Sequence, residues 1–317
     1  MKHVLSASQF GREEILRLFQ MADRLKEERR AGKVLDYLKG KLVYLLFYEP
    51  STRTRTSFGL AVRYLGGKTE FTEAAGIFSS ASKGETLEDT IRVLQSYEID
   101  AIVMRHKQRG AAEIAASVAT VPIINAGDGD GEHPTQALLD LYTIVSNVHQ
   151  DEIVLTMCGD LKQGRTARSL CRLIVKFMST EIPRFRFIFC SSSELAMRDD
   201  VLEELKSAGI EYSVTDDLGA ALRETDVFYQ TRVQRARFVD AQEGEAAFRD
   251  AQMRFALNAT NVATMKSSAV ILHPLPRVGE ISSDVDGDSR ALYFSEQTRN
   301  GLYIRMALLQ LLLCPGE

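Results

Sequence analysis

The sequence predicts an α/β protein of two domains, each a parallel β-sheet flanked by helices, with a C-terminal helix packing back on the N-terminal domain. Three observations predict it. Apolar runs at 42–48, 100–104, 121–124, 153–158, 185–190, 226–229 and 269–272 alternate with segments of helical periodicity, and strand alternating with helix is the grammar of parallel βαβ units covered on both faces. The chain of 317 residues exceeds what a single core usually reaches, roughly 250 to 300 residues. A polar stretch, "NVHQDE" at 147–152, separates two such series.

The elements follow in order. Phe10, Ile15, Leu18, Phe19, Ala22 and Leu25 recur at helical spacing and predict an amphipathic helix over residues 12–30. The first strand stops at Pro50, which has no N–H for a sheet ladder. "TLEDTIRVLQSY" and "GRTARSLCRLIVKFM" read as helices, and "HPTQALLDLYTIVSNV" at 133–148 reads as one long helix with Pro134 in its first turn. "GLYIRMALLQLLL" is a last helix with no strand after it. The expected domains are therefore 1–148 together with 298–317, and 149–297.

Composition bounds the function. With 45% hydrophobic and 26% charged residues the chain reads as a soluble globular protein, and its net charge of −4 gives no overall pull toward nucleic acid or an anionic membrane. No segment reaches the roughly 18 consecutive apolar residues of a membrane span. The four cysteines form no C-x-x-C pair, which fits reduced thiols in the cytoplasm better than a disulfide framework. The N-terminus has no apolar secretory core.

Any cationic site must then be local, and "FYEPSTRTRTSF" at 47–58 supplies one. In a parallel sheet, ligands collect beyond the C-terminal ends of strands, where helix N-termini point N–H groups outward. A helix starting near Ser51 would offer those donors, the hydroxyls of Ser51, Thr52 and Thr54, and the Arg53 fork, all suited to phosphate. The same pattern is also that of a polar cap with solvated arginines. Nucleotide motifs fail: "GGKTE" has Val62 where a P-loop needs glycine, and "GDGDGE" has Glu132 where the dinucleotide fingerprint needs its third glycine. "DVDGDS" at 284–289 opens like a calcium loop but carries Ser289 and Ser295 at the glycine and bidentate positions.

Several separated strings resemble the aspartate carbamoyltransferase family, catalytic chain: "STRTR", "SKGET" with Lys83, "MRH" at 104–106, "HPTQ" at 133–136, "GDLKQGRT" at 159–166, "TRVQ" at 231–234 and "HPLPR" at 273–277. They keep the family order along nearly the whole chain. "STRTR" and "HPTQ" mark carbamoyltransferases in general, whereas "HPLPR" differs from the H-C-L-P of ornithine-type relatives. The resemblance implies transfer of a carbamoyl group from carbamoyl phosphate to L-aspartate, an early step of pyrimidine synthesis, without metal or organic cofactor. It implies that Ser51, Thr52, Arg53 and Thr54 hold the phosphate. It places Thr54, Arg105 and His133 around the carbonyl oxygen, with Gln136 on the amide nitrogen and the carbonyls of Leu275 and Pro276 on the donor nitrogen and attacking amine. Arg165, Arg232 and Gln234 take the aspartate carboxylates. Ser79 and Lys83 reach in from a neighbouring subunit, which makes the protein a homotrimer. Regulatory chains or fused pathway domains are further possible partners.

The chemistry suits these residues. Attack of a neutral amine builds negative charge on the carbonyl oxygen, and donors fixed around it lower the barrier. Arg165 and Arg232 each follow a strand candidate; alone either reads as a surface ion pair, jointly as a dicarboxylate clamp. The clustered cations repel one another, so closure of the domains over both substrates is expected to relieve them. His273 is expected to orient the loop presenting Leu275 and Pro276, His106 to support Arg105, and His3 and His149 to lie at the surface. Three departures from the family pattern stand out: Gly279 where an acidic residue is usual, removing an expected partner for Arg277 or for a nearby loop; Arg168 where histidine is common; and one extra residue between Phe294 and Asn300.

Overall fold

A computed structural model describes residues 2–75, 84–178, 183–233 and 252–314. Packing divides the chain into two compact units, Met1–Leu139 with Arg299–Glu317, and Asp140–Thr298.

The first unit opens with α1 (Arg12–Arg30), which buries Ile15, Leu18, Phe19, Ala22 and Leu25 along one stripe. Glu13 and Glu14 in its first turn and Arg29 and Arg30 in its last complement the helix dipole. Then follow β1 (Leu42–Phe47), α2 (Thr52–Tyr64), β2 (Lys68–Glu73), α3 (Leu87–Gln95), β3 (Ala101–His106), α4 (Ala111–Val118), β4 (Ile123–Asp128) and α5 (Pro134–Asn147). The strands pair in parallel in the order β2-β1-β3-β4. Asp100 pins the start of β1, accepting the Leu42 N–H at 2.8 Å and pairing with Lys41 at 2.9 Å.

The second unit contains β5 (Glu152–Cys158), α6 (Arg165–Phe177), β6 (Arg184–Cys190), α7 (Asp199–Ser207), β7 (Tyr212–Thr215), α8 (Leu218–Glu224), β8 (Val227–Gln230), α9 (Ala259–Val262) and β9 (Val270–Leu272). These strands are also parallel, in the order β7-β6-β5-β8-β9. Asp226 ties β8 to β5, accepting the Val154 N–H at 2.9 Å while pairing with Lys266 at 2.8 Å.

The last helix, α10 (Glu296–Leu313), starts earlier than its apolar run and returns to the first unit. Arg24 donates to Gln310 Oε1 at 3.1 Å and Arg305 to Ser57 Oγ at 2.8 Å. Residues 295–299, the interval one residue longer than the family pattern, run from the turn after Phe294 into this helix.

Two strands escape the sequence reading, β2 and β7. Both are sheet edges, where one flank of the strand meets solvent, so their residues stay polar or exposed: Phe71 is 53% and Val214 56% exposed. The packing division also falls inside α5, at Leu139/Asp140, and not in the polar stretch after it. Asp140 accepts hydrogen bonds from Tyr229 and Gln297 of the second unit, which draws the rest of α5 into that unit. His3 is half-buried and not a free surface residue: its Nδ1 accepts the Ile123 N–H at 3.1 Å at the start of β4. His149 is exposed. All four cysteines are free thiols. Among the described residues no helix is long and apolar enough to cross a membrane.

Candidate functional site

The order β2-β1-β3-β4 makes the chain leave β1 and β3 toward opposite sides, which opens a crevice beyond their C-terminal ends. Ser51–Thr54 follow β1, Arg105 ends β3, and His133 follows β4. Ser51 is the N-cap of α2 with an extended backbone, φ −154°, and its hydroxyl makes no capping bond. The first N–H of α2 with an acceptor one turn back is that of Arg55, to Ser51 O at 3.0 Å; the helix supplies no acceptor for the N–H groups ahead of it. Thr52 and Arg53 are exposed, Ser51 half-buried and Thr54 buried. A helix N-terminus with hydroxyls and an arginine at its rim is an anion site by construction.

Arg105 is the most constrained cation here, with its side chain 17% exposed. Nη1 donates to Ala126 O at 3.3 Å, Nη2 lies 3.3 Å from Glu49 Oε2, and buried Nε has no partner among the described residues. Burial lowers the affinity of the guanidinium for its proton, the Glu49 charge opposes this, and the Arg53 charge adds to it. The Arg105 guanidinium therefore feels the Arg53 charge as well as that of Glu49. His133 is buried just before Pro134, and its carbonyl accepts the N–H groups of Gln136 at 3.0 Å and Ala137 at 3.2 Å. Asp128 shapes the preceding loop by accepting from Gly110 N, Asn125 Nδ2 and Glu132 N. Among the described residues His106 makes no bond to the Arg105 head: its Nδ1 accepts the Gln108 N–H at 3.0 Å and its ring meets Tyr48 edge-on.

In the second unit the direction of connection changes between β5 and β8, which lie side by side. Arg165 is the first residue of α6 after β5, and Arg232 follows β8; both are half-buried. The two strand ends are stitched together, since Thr231 donates to Cys158 O from both its N–H, at 2.7 Å, and its hydroxyl, at 2.9 Å. Gly159 has φ 107° and sits so close that a Cβ there would collide with the Thr231 carbonyl; only glycine tolerates both conditions. Arg168 is buried and donates to Lys162 O at 2.8 Å, so this departure from the family pattern supports the loop ahead of Arg165.

The loop after β9 is held by an imidazole. Leu275 N–H donates to His273 Nδ1 at 2.7 Å, so the ring proton lies on Nε2 and is given to Glu280 Oε1, also at 2.7 Å. Leu275 has φ 53°, a conformation that costs a non-glycine residue about 1–3 kcal/mol and persists only where its surroundings fix it. His273 thus has the orienting role expected of it. Arg277 does have an acidic partner despite Gly279: its guanidinium makes a two-pronged pair with Asp286, which also accepts the Tyr293 hydroxyl at 2.6 Å.

Ser79, Lys83 and Gln234 lie outside the described residues. Sequence reasoning passed over Glu49, Asp140, Glu280 and Gln297, all of which bond to site residues or to the loops bearing them. Glu49 had a signal, its place between the end of β1 and Ser51; the others are apart in sequence and meet only in the fold. Among the described residues no cluster of three or more His, Cys, Asp or Glu could hold a metal ion.

Comparison with known proteins gives two family domains in tandem. "Aspartate/ornithine carbamoyltransferase, carbamoyl-P binding domain" matches residues 2–146, and the corresponding "Asp/Orn binding domain" matches residues 151–312. The chain is 47% identical over 311 residues to a chloroplastic aspartate carbamoyltransferase of Arabidopsis thaliana, covering 98% of this chain and 77% of that one. It is 46% identical over 313 residues to the aspartate carbamoyltransferase catalytic subunit of Chromobacterium violaceum, covering 98% of each. Among solved structures, aspartate transcarbamoylase from Trypanosoma cruzi in complex with carbamoyl phosphate and aspartate superimposes with a TM-score of 0.90 at 39% identity, covering 99% of this chain and 97% of that one. The catalytic subunit from M. jannaschii gives 0.89 at 40% identity and covers 100% of both.

The His273–Glu280 pair sets a pH dependence. Burial by itself raises the Glu280 carboxyl, but the hydrogen bond from His273, with the Val278 N–H, holds it below the ordinary carboxylate value. A carboxyl lowered in the folded state binds its proton more readily when unfolded, so its stabilisation is complete above the unfolded pKa and is lost as pH falls through the folded one. Urea unfolding followed from neutral pH into this acid range is expected to show a shallower loss of stability in Glu280→Gln than in wild type, by about one proton in the slope. An unchanged slope would contradict this.

Proposed function

We infer the activity from the premise that this chain belongs to the aspartate/ornithine carbamoyltransferase family: it is an aspartate carbamoyltransferase, transferring the carbamoyl group of carbamoyl phosphate to the amine of L-aspartate. The products are N-carbamoyl-L-aspartate and phosphate, a reaction of pyrimidine biosynthesis. The observation that carries the acceptor assignment is the pairing of Arg165 and Arg232 at the ends of adjacent strands β5 and β8. Two guanidinium forks at one strand end suit two carboxylates of one small molecule, where ornithine would present one carboxylate and a second cation.

The roles of individual residues follow as part of this proposal. The N–H groups at the start of α2, the hydroxyls of Ser51, Thr52 and Thr54, and Arg53 hold the phosphate. Thr54, Arg105 and His133 surround the carbonyl oxygen, and Gln136 takes the amide nitrogen. As the neutral amine attacks the carbamoyl carbon, charge develops on that oxygen, and donors already aimed at it need no reorganisation. The burial that makes Arg105 uncomfortable as a lone cation also makes it respond strongly to a developing negative charge. The carbonyls of Leu275 and Pro276 accept hydrogen bonds from the donor nitrogen and the attacking amine. No side chain forms a covalent bond, because phosphate is a competent leaving group and can itself accept the amine proton; positioning supplies most of the acceleration. Gln234 joins the arginines at the acceptor carboxylates.

We further propose a homotrimer in which Ser79 and Lys83 complete the site of a neighbouring subunit. This part rests on the family strings around Lys83. For the compartment we propose the cytoplasm, supported by the four free thiols; detection of the native protein in an organelle fraction would overturn that placement.

Three outcomes are expected. Arg105→Ala should lower turnover by about 10²- to 10³-fold, read as carbamoylaspartate formed at saturating substrates, and a smaller loss would remove Arg105 from the carbonyl oxygen. With carbamoyl phosphate as donor, L-aspartate should be carbamoylated while ornithine and putrescine are not; product from either amine at a comparable rate would overturn the acceptor. Lys83→Ala and Arg53→Ala proteins, each inactive, should regain part of the activity after subunit exchange, and exchange without recovery would rule out shared sites.

A further inference from the structure

One buried carboxylate joins the two segments of the second unit on which acceptor chemistry depends. Asp140, on α5, is fully buried. Its Oδ2 accepts from the Tyr229 hydroxyl at 2.7 Å and its Oδ1 from Gln297 Nε2 at 2.7 Å. Tyr229 stands on β8, the strand that leads into Arg232. Gln297, itself buried, passes the connection on: its Oε1 accepts the His273 N–H at 2.9 Å, and His273 Nδ1 accepts the Leu275 N–H at 2.7 Å. A continuous run of hydrogen bonds therefore leads from Asp140 to the Arg232 strand on one side and to the Leu275 backbone on the other.

Stability alone does not call for this arrangement. A buried charge carries a desolvation penalty, and apolar replacements of such groups are often neutral or stabilising. What the carboxylate supplies is direction. Each of its oxygens takes a neutral donor in a charge-assisted bond, which is shorter and stronger than a neutral one and sets the angle of the donor. Burial and the Asp140 charge both push the Tyr229 hydroxyl far above its ordinary pKa, so it remains a donor.

We propose that Asp140 is a positioning residue of the acceptor half: through Tyr229 it places Arg232, and through Gln297 and His273 it places the carbonyls of Leu275 and Pro276. The inference rests on the carbamoyltransferase reading above. The two arms act on different steps. Arg232 would hold a carboxylate equally in ground and transition state, so loosening it raises the KM for aspartate. The carbonyls would touch the reacting nitrogens, so loosening them lowers kcat.

The test uses full-length Tyr229→Phe and Gln297→Ala enzymes, with kinetics in aspartate at saturating carbamoyl phosphate and carbamoyl phosphate affinity by calorimetry. Tyr229→Phe should raise the KM for aspartate about tenfold with kcat within about twofold, as expected for loss of one charge-assisted bond. Gln297→Ala should lower kcat about tenfold with KM within about twofold. Carbamoyl phosphate affinity should stay at the wild-type value in Tyr229→Phe, whose arm leads only to Arg232. A purely structural role would instead lower Tm and move KM and kcat together. Tyr229→Phe removes a single oxygen, so it reports even if Gln297→Ala fails to fold. A wild-type enzyme that forms no carbamoylaspartate refutes the carbamoyltransferase reading and this inference with it. An active wild type whose variants keep both constants, or lose both in step, overturns this inference alone.

Discussion

An acyl phosphate must be stripped of water before it reacts, and the groups replacing that water have to carry positive charge without being neutralised beforehand. That constraint organises the first unit. The chain has a net charge of −4, yet Arg53 and Arg105 are brought near enough for each other's charge to be felt, with Arg105 largely buried and partly answered by Glu49 at 3.3 Å. Such a pair is unfavourable by itself. It persists because the surrounding sheet fixes it: Arg105 belongs to β3, its carbonyl accepts the Tyr48 N–H at 2.8 Å, and its head reaches the carbonyl of Ala126 in β4.

The second unit solves a related problem with the same architecture. In both sheets the chain reverses its direction of connection between two central strands, β1 and β3 in one, β5 and β8 in the other. Segments leaving those strands diverge, so side chains on them face a shared space without competing for it. Local chemistry then differs. Beyond the first pair lie a helix N-terminus and hydroxyls, to which we assign the phosphate; beyond the second lie Arg165 and Arg232, to which we assign the carboxylates. In a third segment, the His273 loop, the strained Leu275 is fixed by a neutral imidazole between a backbone N–H and Glu280.

Much of this was legible in the sequence because it is local. Central strands announce themselves as unbroken apolar runs, since both faces are covered; α1 shows its periodicity; and "STRTR" directly after such a run marks a strand end feeding a helix. Edge strands β2 and β7 were not legible, because "KTEFTE" and "YSVT" satisfy only half of what a buried strand requires and read as loop. The buried polar partners were equally hidden. Asp140 looks like one more polar residue on a helix until Tyr229 and Gln297, both remote in sequence, are seen to meet it. The departures from the family pattern misled in the same way: Gly279 suggested a missing acidic partner, whereas Asp286 supplies it from another turn.

The N-terminus of α2 is the proposed seat of the acyl phosphate. The most direct test of this is a crystal structure of the protein with a phosphonate analogue of carbamoyl phosphate. The phosphonate oxygens should lie within hydrogen-bond reach of the Ser51–Thr54 N–H groups and hydroxyls, with Arg53 and Arg105 turned to them. A phosphonate bound elsewhere, with Ser51 to Thr54 in contact only with solvent, would contradict it.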